Sequence, residues 1–447
     1  MVGGGVAGMI SAILLQKKFG SVCLIERENK LGGLYQSSEF NEDIYFDQGS
    51  HFLRETGIKQ LDKIILKGVT KKQWRILGNL KGGAFYGSKL NSQTPFLDTR
   101  ELPQKVYEKG IIELLNITKT ENEPRNLKEQ LYATFGETFT DKIFFPILYK
   151  KYFRYDLDKL SVDAHGLLGL NRILGFNPEA TREIKSSEIY NTKFAFHSSK
   201  EGQSNLKNYY PINEGISLWI TLLHKQLNDL GVKIITNREI KKLSQKQKRV
   251  NSVILNDGTQ INCTSIVWTA PPSLFLKLSS IPIKIPKRSD TQLHTSLHNF
   301  VFDKPFLTDV HYIQCHDPKL KTFRITLYPN IQRNQNNIFH LTSEVISPEK
   351  ADLIKLENQV LRELSAIGVI KKLTKPVFAQ SNTLSQGFIL PTLQIKKNTE
   401  HQINIISNHI DNIVTLGRAA GNNFTIDAVL RDLYKVIGQL TRPDFSH

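Results

Sequence analysis

The spacing G-x-G-x-x-G, formed by Gly3, Gly5 and Gly8, constrains this chain more than any other feature. Residues 9–18 follow with apolar positions at Met9, Ile10, Ile13, Leu14 and Leu15, a helical pattern that packs on a sheet. Residues 22–25 form a short apolar run that reads as a buried strand, and Glu26 ends it. In such a unit the first glycine permits a tight turn, the second lets backbone approach a pyrophosphate, and the third lets helix and strand pack closely. Val6 and Ala7 sit where the helix opens, so their amides and the helix dipole face the phosphates. Eighteen positions separate Gly8 from Glu26, near the ~20 expected for an acid that receives a ribose hydroxyl. The pattern predicts dinucleotide binding; a glycine-rich turn in an unrelated α/β protein would leave Glu26 unexplained.

Only Met1 and Val2 precede Gly3, whereas a central parallel strand usually needs ~5 residues. The expectation is that a few residues are missing from the start. At 447 residues the chain can form two or three domains, and 40% hydrophobic with 23% charged residues fits a globular protein. No run approaches the ~18 apolar residues that span a bilayer, and the glycine motif stands where a signal peptide would. Cys23, Cys263 and Cys315 are widely spaced, with no CxxC and no metal-ligand cluster; Cys23 and Cys263 lie in apolar runs and read as buried thiols in a reducing cytoplasm. The net charge of +17 carries no nucleic-acid motif. It leaves two readings open, a solvated basic surface or attraction to anionic substrates or a membrane face.

Past Glu26 the chain reads Arg27 and then the doublet Gly32-Gly33, followed by an expected strand at Ile44-Tyr45-Phe46-Asp47 and by Gly49-Ser50-His51-Phe52. G-x-G-x-x-G, then E-R-x-x-x-x-G-G, then F-D-x-G-x-H-F resembles the FAD-binding group of flavin amine oxidases, protoporphyrinogen oxidases, carotenoid desaturases and UDP-galactopyranose mutases. The resemblance implies that Gly32 and Gly33 lie near the pyrophosphate and that Gly49 and His51 lie near the isoalloxazine. A satisfied structural histidine is the other reading of His51.

Residues 60–200 read as mostly helical. Their aromatic side chains read as core, and Lys151 is a candidate contact for an anionic group. A Tyr210-Pro211 turn with Gly215 opens a helix to about residue 230, and Asn256-Asp257-Gly258 marks a hairpin. A strand at 265–270 ends at Pro271-Pro272. This block again resembles the flavin group, which places Ile240 against the adenine. Residues 298–302, 310–314, 323–328 and 339–345 read as strands of an antiparallel sheet, the wall of the substrate cavity in that group. Arg324 and Glu344 lie within these strands; charges there usually face solvent, but Arg324 also matches an arginine of the oxidase-like members and is a candidate contact for a substrate anion. Gly417-Arg418 then ends a strand, and Thr425-Ile426-Asp427 opens a last helix. The resemblance sets that helix under the flavin, with Gly417, Arg418, Ile426 and Asp427 as cofactor contacts, and it selects FAD over NAD.

The expected fold is α/β: a discontinuous Rossmann-like FAD-binding domain (1–60, 206–275, 407–447) with an α+β substrate domain of helices (61–205) and antiparallel sheet (276–406). The leading functional expectation is an FAD-dependent oxidoreductase that moves a hydride from a small-molecule substrate to flavin N5, with His51 and Arg324 as catalytic candidates. Two alternatives stay open: a non-redox mutase acting on a nucleotide sugar, and an FAD-binding protein without turnover. The expected partners are a small molecule of possible anionic character, no nucleic acid, and a membrane surface at the periphery of a cytoplasmic protein.

Overall fold

A computed structural model describes residues 1–440 except 42–43, 118–122, 203, 282–292, 333–336, 385–388, 422 and 424. At its centre the first residues are wedged between two strands. The Val2 amide donates to Val267 O at 2.9 Å and the Gly3 amide to Ile25 O at 2.9 Å, while the amides of Ile25 and Thr269 donate to Met1 O (2.9 Å) and Val2 O (3.0 Å). Val2 thus bridges Cys23–Ile25 and Ile266–Trp268 in parallel. Lys233–Ile235 and Ile413–Thr415 extend the sheet outward, also in parallel. The order 233–235, 23–25, 2, 266–268, 413–415 places the shortest segment in the middle. Three residues supply hydrogen bonds to both neighbours, so the sheet is continuous across the stretch where a longer strand was expected.

Helix Val6–Phe19 covers this sheet and is buried at Val6, Met9, Ile10, Ala12, Ile13 and Leu15. It is apolar nearly all round because the sheet, helix Ser217–Asp229 and the last helix, Ile426–Gln439, all pack on it. It stops at Gly20, whose φ of 81° closes the last turn through an amide bond to Gln16 O. Lys18 Nζ reaches Ile437 O and Gly438 O, placing a cation at the negative end of the last helix. The expected hairpin is present: Arg249–Leu255 pairs antiparallel with Gln260–Asn262, and Ile240–Lys246 flanks it.

The second sheet has seven strands in the order 378–383, 294–302, 339–347, 322–327, 312–315, 82–86, 89–91. The predicted strands form its antiparallel centre. The sheet is nonetheless mixed, because Gly82–Tyr86 joins Tyr312–Cys315 in parallel. That strand lies in a stretch that reads as helical. Its Gly-Gly-Ala core is too short and too small to show a period, and Gly82 is needed because a Cβ there would come 2.7 Å from the Tyr312 ring. Residues 104–116 and 127–151 do form helices around an aromatic core in which Phe135 and Phe144 stack at 4.3 Å. Of the cysteines, Cys315 is buried, and burial pushes its thiol up to about 12; Cys23 and Cys263, expected to be buried, are partly exposed.

The two regions meet at Asp47, at the end of strand Ile44–Asp47. Its carboxylate accepts from Ser37 Oγ (2.7 Å), Tyr210 OH (2.6 Å) and the Ile216 amide (3.0 Å), and its own amide donates to Tyr328 OH at 2.9 Å. Gly215 is required beside it, since a Cβ would sit 2.2 Å from Ser37 Oγ. Burial raises the Asp47 pKa from 3.8 to about 6 against these hydrogen bonds. The folded chain therefore holds this proton more tightly than the unfolded chain. Its stabilising contribution is full below pH 3.8 and is lost as pH rises through about 6. Asp47→Ala is expected to lower unfolding free energy by about 3 kcal/mol in urea melts, because several buried donors lose their acceptor. Across the same pH window, the wild type should lose stability on alkalinisation relative to Asp47→Asn.

Candidate active site

The glycine turn forms a cradle with one open side. A Cβ on Gly8 would lie 1.8 Å from Gly3 O, so helix and turn touch through backbone. A Cβ on Gly5 would meet nothing within 4 Å. Gly5 caps the helix without a side-chain hydrogen bond, no acid occupies the first turn, and the first bond along the axis is Met9 N–H to Gly5 O. The helix itself offers the amides of Val6, Ala7 and Gly8 no partner. Gly32 donates to Gly4 O at 2.8 Å, and a Cβ built on its neighbour Gly33 would lie 3.5 Å from Gly5 Cα, both glycines having positive φ. Gly417 closes the other flank, its Cβ position 3.5 Å from Ala7 Cβ. The doublet and the C-terminal Gly-Arg strand thus converge on the same turn.

Glu26 stands at the rim. Its Oε2 accepts from the Gly4 amide (2.6 Å) and its Oε1 from the Glu28 amide (2.9 Å), which fixes the carboxylate beside the cradle. Arg27 is exposed and pairs with Glu28 at 3.1 Å. Ile240 begins its strand and is buried in a cluster with Val2, Ile25 and Trp268.

A second group gathers at the sheet wall. Arg324 Nε and Nη2 bind Glu344 Oε1 (2.7 Å) and Oε2 (2.8 Å), with side-chain exposures of 23% and 6%. Solvent-facing charges were one expectation for these strands; both side chains instead turn inward. Burial opposes the charge on Arg324, but Glu344 outweighs it and holds the guanidinium above its ordinary pKa. Glu344 Oε1 also accepts from the Ser50 amide at 3.1 Å, and its Oε2 lies 3.2 Å from a Cβ built on Gly49. One carboxylate therefore joins the sheet to the Gly49–His51 turn. His51 is partly buried, its ring 4.6 Å from that of Tyr35, and its Nε2 has no hydrogen-bond partner among the described residues. Burial, reinforced by Arg324, lowers its pKa to about 4, so the imidazole is neutral at pH 7. Arg418 acts electrostatically on both His51 and Tyr35, and burial lowers its own pKa. The structure thus brings together His51, Arg324 and Arg418 from three distant parts of the chain.

The last helix opens beside them. Thr425 makes no side-chain cap, Ile426 packs into the core around the first helix, and buried Asp427 pairs with Arg431 at 3.0 Å. Asp427 also contributes to raising the Tyr35 pKa, after burial. An open backbone cradle, a carboxylate at its rim and an orphaned buried imidazole nitrogen fit FAD. Sequence reasoning missed Tyr35, whose signal was its place two residues beyond the doublet, and did not give Glu344 its role as the partner of Arg324. It also proposed Lys151 as an anion contact, whereas its Nζ donates to Leu320 O (3.2 Å) and Thr322 O (3.0 Å) and ties a helix end to the sheet.

A family model described as flavin containing amine oxidoreductase matches residues 6–308. No curated protein matches the chain. Among solved structures, a reduced UDP-galactopyranose mutase superposes with a TM-score of 0.75 at 14% identity, covering 100% of this chain and 95% of its own. A candidate protoporphyrinogen oxidase from Exiguobacterium sp. gives 0.70 at 15%, covering 100% and 98%. A putrescine oxidase bound to putrescine gives 0.61 at 12%, covering 98% and 97%.

Gly8→Ala is expected to yield protein with less than about a tenth of the wild-type FAD, measured by absorbance after heat release, because the helix must move away from the turn. Glu344→Gln strips the carboxylate from a largely buried guanidinium. It should cost about 3 kcal/mol in denaturant melts, and Arg324→Met/Glu344→Gln should recover part of that loss.

Proposed function

The chain belongs to the family of flavin-containing amine oxidoreductases, and on that premise we propose that it is an FAD-dependent oxidoreductase that oxidises a C–H bond of a small molecule. Bound FAD supplies the two-electron acceptor, which oxygen or another oxidant then restores. The chain supplies binding and orientation. The helix-opening amides of Val6, Ala7 and Gly8 hold phosphate oxygens, and the Glu26 carboxylate receives a ribose hydroxyl. The opening of the last helix at Thr425 and Ile426 would turn a positive dipole end toward bound FAD and favour negative charge there. Tyr35 and His51 form one side of the reaction space. A neutral His51 can accept a proton or a hydrogen bond at Nε2 as the substrate is oxidised.

The observation that carries the oxidative reading is the bidentate Arg324–Glu344 pair. A nucleotide sugar brings a diphosphate, which is best held by arginines free to fork onto it. Here the guanidinium on the sheet wall is already bound to a carboxylate, which suits a substrate without that charge. The test is anaerobic mixing of the holoprotein with amines and other C–H donors. The expected result is bleaching of the flavin absorption that air reverses. Isomerisation of a UDP-sugar by the reduced protein, with no net electron transfer, would overturn the proposal. His51→Gln should keep its FAD but bleach about a hundredfold more slowly. The wild-type rate should fall as pH drops through about 4, where His51 gains its proton, and this step should vanish in the variant.

A further inference from the structure

Two loops meet at one corner of the seven-stranded sheet. The Leu307 amide donates to Val369 O at 2.9 Å, and the Val377 amide donates to Val301 O at 2.8 Å, so segments 303–309 and 368–377 lie side by side. Val369, Ile370 and Phe306 point inward and anchor them; Phe306 packs edge-on against Phe302 and Phe339. The outer side of the same loops is apolar where a soluble surface is usually polar. Leu373 is 89% exposed, Val377 65% and Leu307 53%. Exposed Lys371, Lys372, Lys375 and Lys304 surround them. The acids on these loops are Asp303 and Asp309, and Asp309 is paired with Lys81.

Leu373 adds a second observation. Its φ is 65°, in the left-handed region that a branched side chain avoids and that Asn or Gly adopts more readily. The fold gains no buried contact from this side chain, and it would accept Asn at the position with less strain. A leucine held outward at a lysine-ringed tip is suited to something outside the fold. Lysines attract anionic headgroups while an apolar tip enters the acyl boundary, and the two effects add.

We propose that this corner, centred on Leu373 and Lys371, Lys372 and Lys375, docks the protein on an anionic lipid bilayer. The proposal is independent of the reaction at the flavin. No described helix is long and apolar enough to cross a membrane, so the contact is peripheral.

The test is co-sedimentation of the full-length holoprotein with phosphatidylcholine vesicles, with and without phosphatidylglycerol. Binding is expected to the anionic vesicles alone and to weaken as salt is raised. Lys371→Gln/Lys372→Gln/Lys375→Gln should lower partitioning on the order of a hundredfold. Leu373→Asn, which relieves the backbone, should lower it about tenfold while flavin content stays at the wild-type level. Failure to bind anionic vesicles would overturn the proposal, as would binding that neither variant changes. Self-association without lipid that Leu373→Asn abolishes would also overturn it and identify the corner as a contact between copies of the chain.

Discussion

Everything around the cofactor cradle depends on backbone hydrogen bonds that grip Met1, Val2 and Gly3 from both sides. Ile25 and Val267 accept from this segment, and Ile25 and Thr269 donate to it. Thr269 Oγ1 adds a bond to Val2 O at 2.9 Å. This grip sets the position of Gly3 O, and Gly3 O in turn sets how near the first helix can come, because Gly8 rests on it without a side chain. The amides that face the open side are thus placed by the sheet rather than by the loop. A loop alone would need to lose that freedom on binding, whereas here the ordering is already done when the sheet folds.

Glu344 performs the equivalent task at the other end of the site. It joins a strand of the second sheet to the turn that carries His51, nearly three hundred positions earlier in the chain. A buried ion pair adds little net stability compared with apolar packing. What it does fix is orientation: a bidentate guanidinium, a backbone amide and the glycine at position 49 all constrain one carboxylate. The sheet wall and the His51 turn consequently hold a defined relation, with an imidazole kept neutral first by burial and then by Arg324, against the opposing pull of Glu344.

The cofactor half of this site was legible in the sequence because its signals are local. Gly3, Gly8 and the Gly32-Gly33 doublet each answer a steric demand that glycine alone meets, a positive φ or a backbone contact, so they leave a mark in one letter. Gly417, with a φ of 83°, was legible for the same reason. The parallel strand Gly82–Tyr86 left no such mark, since five residues rich in glycine carry no period. Arg324 and Glu344 were visible as charges within strands, but their direction depends on which face of a seven-stranded sheet is buried. That is decided by pairing between distant strands, and strand propensity does not report it.

The same contrast explains where the excess positive charge acts. Lys151 spends its ammonium protons on the carbonyls of Leu320 and Thr322, and Arg324 spends its fork on Glu344. Both cations are satisfied inside the fold, where an unpaired charge is costly to keep. The unbalanced lysines are therefore left to the surface, where water solvates them and their field reaches about 10 Å at moderate salt. A net charge of +17 consequently says little about the reaction at the flavin. It bears instead on what the outside of the molecule approaches, and it does so most strongly where lysines surround exposed apolar side chains that the core does not use.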